Sequence, residues 1–229
     1  MFDREESSRT RRVIGDVGVE MLAASSVLVF GLGGVGGAAC EALARAGVGS
    51  LTIVDGDVVS PSNLNRQIIA LHSTIGVAKA TAMKERIRDI CPDVKVTAIN
   101  SFFRPDGELS FDFSDYDYVV DAIDDIPAKV EIWVRCKEAG TPLISAMGAG
   151  NKLDPSLFRV ADLSKTEGCP LAKILRRKLR ERGILHGKVV FSPEIPVKTG
   201  VSEPGSLSFV PPVAGYLMAG QVVRDLLDL

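Results

Sequence analysis

The feature that most constrains this chain is "VFGLGGVGG" at residues 29–37, a glycine-rich turn between two contrasting segments. The preceding "SSVLVFG" is a short apolar run, as expected of a strand buried on both faces of a parallel sheet. The following "GAACEALARAG" is rich in small helix formers and closes at Gly47. Gly31, Gly33 and Gly36 take the G-x-G-x-x-G positions. Such a unit brings backbone close to a phosphate and aims the free N–H groups of a helix start at it. Gly34 and Gly37 thin the turn further. Asp55, at the end of the next apolar run "SLTIVD", is placed to grip ribose hydroxyls. The turn therefore predicts nucleotide binding, and by itself it leaves NAD and ATP both open.

The rest of the chain repeats the alternation. "GVAKATAMKERIRDIC" has helical spacing and stops at Pro92; "DVKVTAINSF" and "YDYVVDAID" read as strands. "PAKVEIWVRCKEAG" reads as the next helix, and "TPLISAMGAG" as a strand running into another glycine turn. Strand–helix alternation of this kind predicts a doubly wound, mostly parallel sheet, a Rossmann-like α/β fold. The 229 residues are enough for one domain with one substantial excursion. The expected division is a nucleotide-binding core at 7–150, an excursion and substrate region at 151–206, and a return to the core at 207–229. The stretch "FVPPVAGYLMAGQVV" is interrupted by Pro211 and Pro212 and is shorter than the roughly 20 residues a bilayer needs. It reads as a buried strand end and helix.

Composition excludes several classes. With 46% apolar and 24% charged residues the chain looks globular and soluble, and a net charge of −2 gives no global attraction to nucleic acid. Any nucleic-acid site has to be a local patch. The N-terminal "MFDREESSRTRR" has no apolar core and is not a secretory signal. Cys40, Cys91, Cys136 and Cys169 form no Cys-x-x-Cys pair, so neither zinc nor a disulfide framework is expected, and a cytoplasmic location is. His72 and His186 are isolated and are not expected to bind metal.

"VDGDVVSPSNLNRQ" separates ATP from NAD. It crowds Asp55, Asp57, Asn63, Asn65, Arg66 and Gln67 together. A dehydrogenase has no general need of that density. An enzyme that activates a carboxylate with ATP must neutralise a pentavalent α-phosphate and a departing pyrophosphate, and arginine suits that task. Lys79 opens the next helix within reach of a phosphate. Asp124 and Asp125 follow a strand at the carboxyl edge, where a carboxylate could hold Mg²⁺ together with substrate phosphates.

A second group is basic. "KILRRKLRERGILHGK" carries Lys173, Arg176, Arg177, Lys178, Arg180, Arg182 and Lys188, with Glu181 as the one acid. Ile174, Leu175 and Leu179 keep the spacing of a buried helical face. Such an excess predicts contact with a nucleic-acid phosphate backbone, one that positions without reading sequence. Cys169, just before this helix, is the thiol to weigh for a covalent route, although its place before Pro170 favours a structural role.

"GLGGVGG", "LTIVDGDVVSPSNLNRQ", "GVAKA" and "VVDAIDD" resemble the ThiF/HesA/MoeB superfamily, the adenylating fold of ubiquitin-activating enzymes. "SRTRRVIG", "NRQIIALHSTIG", "SAMGAGNKLDPSLFRVADLSKTEGCPLAKILRRKLRERGI" and "PGSLSFVPPVAG" are most similar to its branch that dehydrates threonylcarbamoyladenosine in tRNA. The resemblance implies a homodimer that uses ATP and Mg²⁺ to adenylate the side-chain carboxylate and then closes a ring with loss of AMP. It places Gly33 and Gly34 on the phosphates, Asp55 on the ribose, Asn63, Arg66 and Lys79 on the phosphates, and Mg²⁺ on Asp124. It sends Arg9 into the ATP site of the partner subunit. Relatives in molybdopterin and thiamine synthesis carry two Cys-x-x-Cys pairs that are missing here. The ending "RDLLDL" is unlike the apolar, membrane-associated ending of some relatives, so no membrane is expected. Three other readings compete: an enzyme activating the C-terminus of a ubiquitin-like sulfur carrier protein, an NAD oxidoreductase, and a nucleotide-binding scaffold for a sulfur-transfer or cysteine desulfurase partner.

Overall fold

The computed structural model describes residues 5–229. Seven strands are β1 (Ser26–Phe30), β2 (Ser50–Val54), β3 (Lys95–Ile99), β4 (Tyr118–Asp121), β5 (Leu143–Ala146), β6 (Arg159–Asp162) and β7 (Lys188–Phe191). They form one sheet in the order β3-β2-β1-β4-β5-β7-β6. All neighbours are parallel except β6 and β7, which run antiparallel. The helices are α1 (Ser8–Ala24), α2 (Gly34–Ala46), α3 (Lys79–Ile90), α4 (Ile126–Ala139), α5 (Pro170–Arg180) and α6 (Val210–Leu226). This is the doubly wound sheet that the alternating text predicts.

Period-2 alternation divides β1 between two cores. Val27 and Val29 pack with Cys40 of α2, Met83 of α3 and Met218 of α6. Leu28 and Phe30 face the other way, toward Ile132 and Cys136 of α4 and the rings of Phe103 and Phe113. Helices thus cover both faces of the sheet, and the strand order reverses between β1 and β4. Sheets of this type bind ligands at that reversal, beyond the carboxyl ends of the strands.

Residues 151–206 supply β6, α5 and β7, and the two strands extend the same sheet. The buried side of α5 is Ala172, Leu175 and Leu179, packed near Trp133 of α4. Ile174, expected on that side, lies at its exposed margin. The spacing 172, 175, 179 follows one helical face, and position 174 is turned away from each of its members by about 100° or more. Residues 207–229 end in α6, whose Gly215 lets it press on α2: a Cβ there would sit 2.2 Å from the Val35 carbonyl oxygen. Pro211 and Pro212 occupy the first turn of α6, and the stretch contains no strand. Proline is tolerated there because the first helical N–H groups have no intrahelical acceptor.

Carboxylates fasten the far edge of the sheet. Burial alone would raise the Asp162 carboxyl, but bonds from the Ser164 hydroxyl and amide, the Gly187 amide and the His186 ring outweigh it and bring it to about 2. A folded-state value below the ordinary carboxylate value of about 3.9 contributes stability that is present above that value. It is lost as pH falls through about 2. The melting temperature is therefore expected to decline as pH is lowered from about 4 to about 2. Asp162→Asn should flatten that part of the profile, and an unchanged slope would contradict the assignment.

Candidate functional site

A cleft of about 1050 Å³ opens along the carboxyl edge of the sheet. Its first wall is the glycine turn. Gly31 has φ 86°, a conformation few residues with a side chain adopt. Gly36 lies under the turn, where a Cβ would fall 1.8 Å from the Gly31 carbonyl oxygen. Gly33 is different: a Cβ there would meet nothing nearer than the Gln67 side-chain nitrogen at 3.9 Å. That open space at the start of α2 is what a phosphate cradle requires.

The polar cluster of residues 55–79 forms the floor. Both Asp55 oxygens are engaged, one by the Leu32 amide at 2.7 Å and one by the Asp57 amide at 2.8 Å. Asp55 thus ties the glycine turn to the end of β2 as well as facing the cleft. Asn63 is buried, and its Oδ1 accepts from the Ser60 amide at 3.1 Å. The Arg66 guanidinium donates to the Ser62 carbonyl at 3.0 Å and to Asn65 Oδ1 at 2.9 Å. Gln67 is buried yet lines the cleft; its Oε1 has no hydrogen-bond partner, and its Nε2 is the side-chain atom nearest the open space at Gly33. Lys79, at the start of α3, is paired with Asp57 at 2.8 Å.

Asp124 and Asp125 separate in role. Asp125 caps α4, accepting from the Ala128 amide at 2.9 Å. Asp124 is exposed at the cleft. Among the described residues no cluster of three or more His, Cys, Asp or Glu side chains could hold a metal alone. A single free carboxylate beside a phosphate site does fit Mg²⁺, which takes one or two protein carboxylates and fills its octahedron with phosphate oxygens and water.

Most of the residues singled out from sequence share this cleft: Gly31, Gly33, Gly34, Asp55, Asp57, Asn63, Arg66, Gln67, Lys79, Asp124 and Asp125. Gly36 and Asn65 do not line it. Gly36 supports the turn, and Asn65 fastens the cleft's far wall, its Nδ2 donating to the Ser206 carbonyl at 2.9 Å. Arg9 is exposed on α1 and does not line the cleft of its own chain. On α5, Lys173, Arg177, Lys178 and Arg180 are exposed, as is Arg182 just beyond it, whereas Arg176 is bound to Thr166. Lys188 is paired with Asp225. Cys40 and Cys136 are buried, and burial pushes both thiols far up.

The second wall could not be read from the glycine motif. It comes from residues 146–152 after β5, from Cys169, Pro170 and Leu171 at the start of α5, and from Pro196 and 204–206. Phe102 and Arg104, after β3, add a third side. The signal for Phe102 was its position just past a strand's carboxyl end. Lys129 was missed as well: it sits fully buried against Asp121 at 2.7 Å, with Ser145 bonded to both. Its signal was a lysine on the apolar stripe of Ile132, Trp133 and Cys136.

A glycine turn at a helix start, an acid at the end of β2 and a cationic floor define a nucleotide-binding α/β protein built for phosphate chemistry. The chain belongs to the ThiF family, whose model matches residues 7–229. It is 46% identical over 239 residues to the tRNA threonylcarbamoyladenosine dehydratase of Bacillus subtilis, covering 96% of this chain and 94% of that one. Crystal structures of the Escherichia coli tRNA N6-threonylcarbamoyladenosine dehydratase in complex with AMP and with ATP superpose with TM-score 0.90 at 35% identity, covering 98% of this chain and 95% of that one. The molybdopterin-synthase adenylyltransferase of Escherichia coli is 34% identical over 167 residues, 73% of this chain and 65% of that one.

Proposed function

We infer that this chain is an enzyme that uses ATP to dehydrate threonylcarbamoyladenosine in tRNA, by adenylating the side-chain carboxylate. The observation that carries the reading is the continuity of the cleft: the glycine turn with Gly33, and the floor with Arg66 and Lys79, run into a second wall from residues 146–152 and 169–171. One chamber can therefore present ATP and an acyl group to each other. The match to the Bacillus subtilis dehydratase along nearly the whole of both chains supports the substrate.

In this reading the substrate carboxylate attacks the α-phosphorus of ATP and pyrophosphate leaves. No general base is needed, because the nucleophile is already an anion. Catalysis is positioning and charge stabilisation. Arg66 and Lys79 take up negative charge on the phosphates, Asn63 and Gln67 offer amide hydrogens, and Asp55 holds the turn and the ribose. Lys79 leaves Asp57 for the phosphates as ATP enters. Asp124 would hold Mg²⁺, which supplies further charge neutralisation at the phosphates. Arg9, exposed and outside the lining of its own cleft, would complete the cleft of a second copy in a homodimer. The exposed cations of α5, whose first residues form the cleft wall, would hold the tRNA backbone, making 151–206 the substrate region. Among the described residues no helix is long and apolar enough to cross a membrane. A cytoplasmic location suits a tRNA substrate.

The test is to incubate the protein with ATP, Mg²⁺ and tRNA bearing threonylcarbamoyladenosine, digest the tRNA and weigh the nucleosides. The expected product is lighter by one water and requires ATP. No mass change with ATP still bound would overturn the substrate and direct the same assay to the C-terminal tail of a ubiquitin-like sulfur carrier protein.

A further inference from the structure

The second wall of the cleft holds a cation that the adenylation scheme does not employ. Lys152 is 2% exposed and yet lines the cleft. Its Nζ donates to the Ser192 carbonyl at 3.2 Å and to the Glu194 carbonyl, both neutral acceptors. The Glu194 carboxylate is turned to other work, accepting from the Leu153 amide at 2.8 Å and the Asp154 amide at 3.2 Å. Among the described residues no carboxylate forms an ion pair with Lys152. The other two buried lysines differ: Lys129 meets Asp121 at 2.7 Å and Lys79 meets Asp57 at 2.8 Å.

A buried ammonium without a counterion is unfavourable unless an anion arrives. Burial pushes Lys152 below the ordinary lysine value, and the proximity of Cys169 and Glu194 only partly offsets it. The surrounding wall offers Cys169, Leu171, Pro196 and Pro204. It contains no second cation, so this end of the cleft suits one small anion rather than a triphosphate. The polyphosphate cations, Arg66 and Lys79, belong to the floor beside the glycine turn.

We propose that Lys152 is the receptor for the substrate carboxylate, holding one oxygen while the other faces the α-phosphorus of ATP. This rests on the dehydratase reading. It makes Lys152 the residue by which the enzyme distinguishes an adenosine that carries the acidic side chain from one that does not.

The experiment measures binding as well as turnover. Wild type, Lys152→Met and Lys152→Gln are titrated with ATP, with tRNA bearing threonylcarbamoyladenosine, and with the same tRNA lacking the modification. Wild type is expected to prefer the modified tRNA by roughly 10- to 100-fold, the range of a charge-assisted hydrogen bond to a buried group. Both variants should bind ATP and unmodified tRNA as wild type does and lose that preference, with kcat/KM for modified tRNA falling by a similar factor. A variant that keeps the preference overturns the proposal, as does a wild type that binds both tRNAs equally. If Lys152→Met also loses ATP, Lys152→Gln decides by the same comparison; loss of ATP and of unmodified tRNA in both variants means that Lys152 only braces the wall, and the proposal fails. A wild type that produces no dehydrated nucleoside overturns the dehydratase reading instead, and that result is separate from the binding comparison.

Discussion

Arg66→Ala is expected to lower ATP-dependent turnover about a thousandfold while the melting temperature barely moves. The magnitude follows from the proposed function, in which Arg66 is one charged donor to a pentavalent phosphorus; at such centres single donors and arginines account for factors of about 10² to 10⁵. The neutral effect on folding follows from its contacts. The guanidinium is half-exposed and among the described residues bonds the Ser62 carbonyl and the Asn65 side chain, groups near the surface that water can serve. Arg66→Lys should recover little, since a point charge cannot reproduce the planar fork. Steady-state turnover of modified tRNA with saturating ATP, read beside thermal unfolding, checks both halves. Turnover within about tenfold of wild type would remove Arg66 from the phosphate site.

Lys129→Met is expected to have the largest effect on stability, a loss of about 3–5 kcal/mol. Lys129 and Asp121 are both 0% exposed, and Ser145 donates to the same Asp121 oxygen at 2.6 Å. Removing the lysine leaves a buried carboxylate with a hydroxyl as its strongest donor. For a domain of this length that loss corresponds to a fall in melting temperature of roughly 6 to 20 °C. The double variant Asp121→Leu with Lys129→Met should regain much of the loss, because the cost lies in the orphaned charge more than in the missing pair. Thermal or denaturant unfolding of the three proteins measures this. A single variant within about 1 kcal/mol of wild type would overturn this account of the pair. The pair also has a functional consequence: Asp121 ends β4, and its other oxygen accepts from the Ile123 amide at 3.3 Å, so it braces the loop that carries Asp124.

The nucleotide half of the site was legible because its parts are local. Gly31, Gly33 and Gly36 fall in one turn, and Asp55 to Lys79 lie within the next connection, so strand and helix periodicity sufficed to bring them to one edge of the sheet. Ile174 shows the limit of that reasoning: three apolar residues suggested a face, and only the packing of α5 against α4 selected Ala172 in its place. The excursion was legible as basic text with a helix, but its strands could not be assigned to an edge, because the pairing of β7 with β5 depends on contacts far apart in sequence.

The sequence by itself determined the doubly wound sheet, the glycine turn at its carboxyl edge and the polar, cationic text that forms the floor, since each follows from residue type at short spacing. Only the tertiary structure decided that Asp125 is a helix cap and Asp124 is free, that Asn65 faces the 204–206 strap, and that the cleft has a second wall. It also decided which lysines are buried with a counterion and which is not. The physical reason is common to these cases. A side chain's partner and burial are set by elements that meet across long stretches of chain, and a charge has no fixed role until its surroundings, including the absence of an opposite charge, are known.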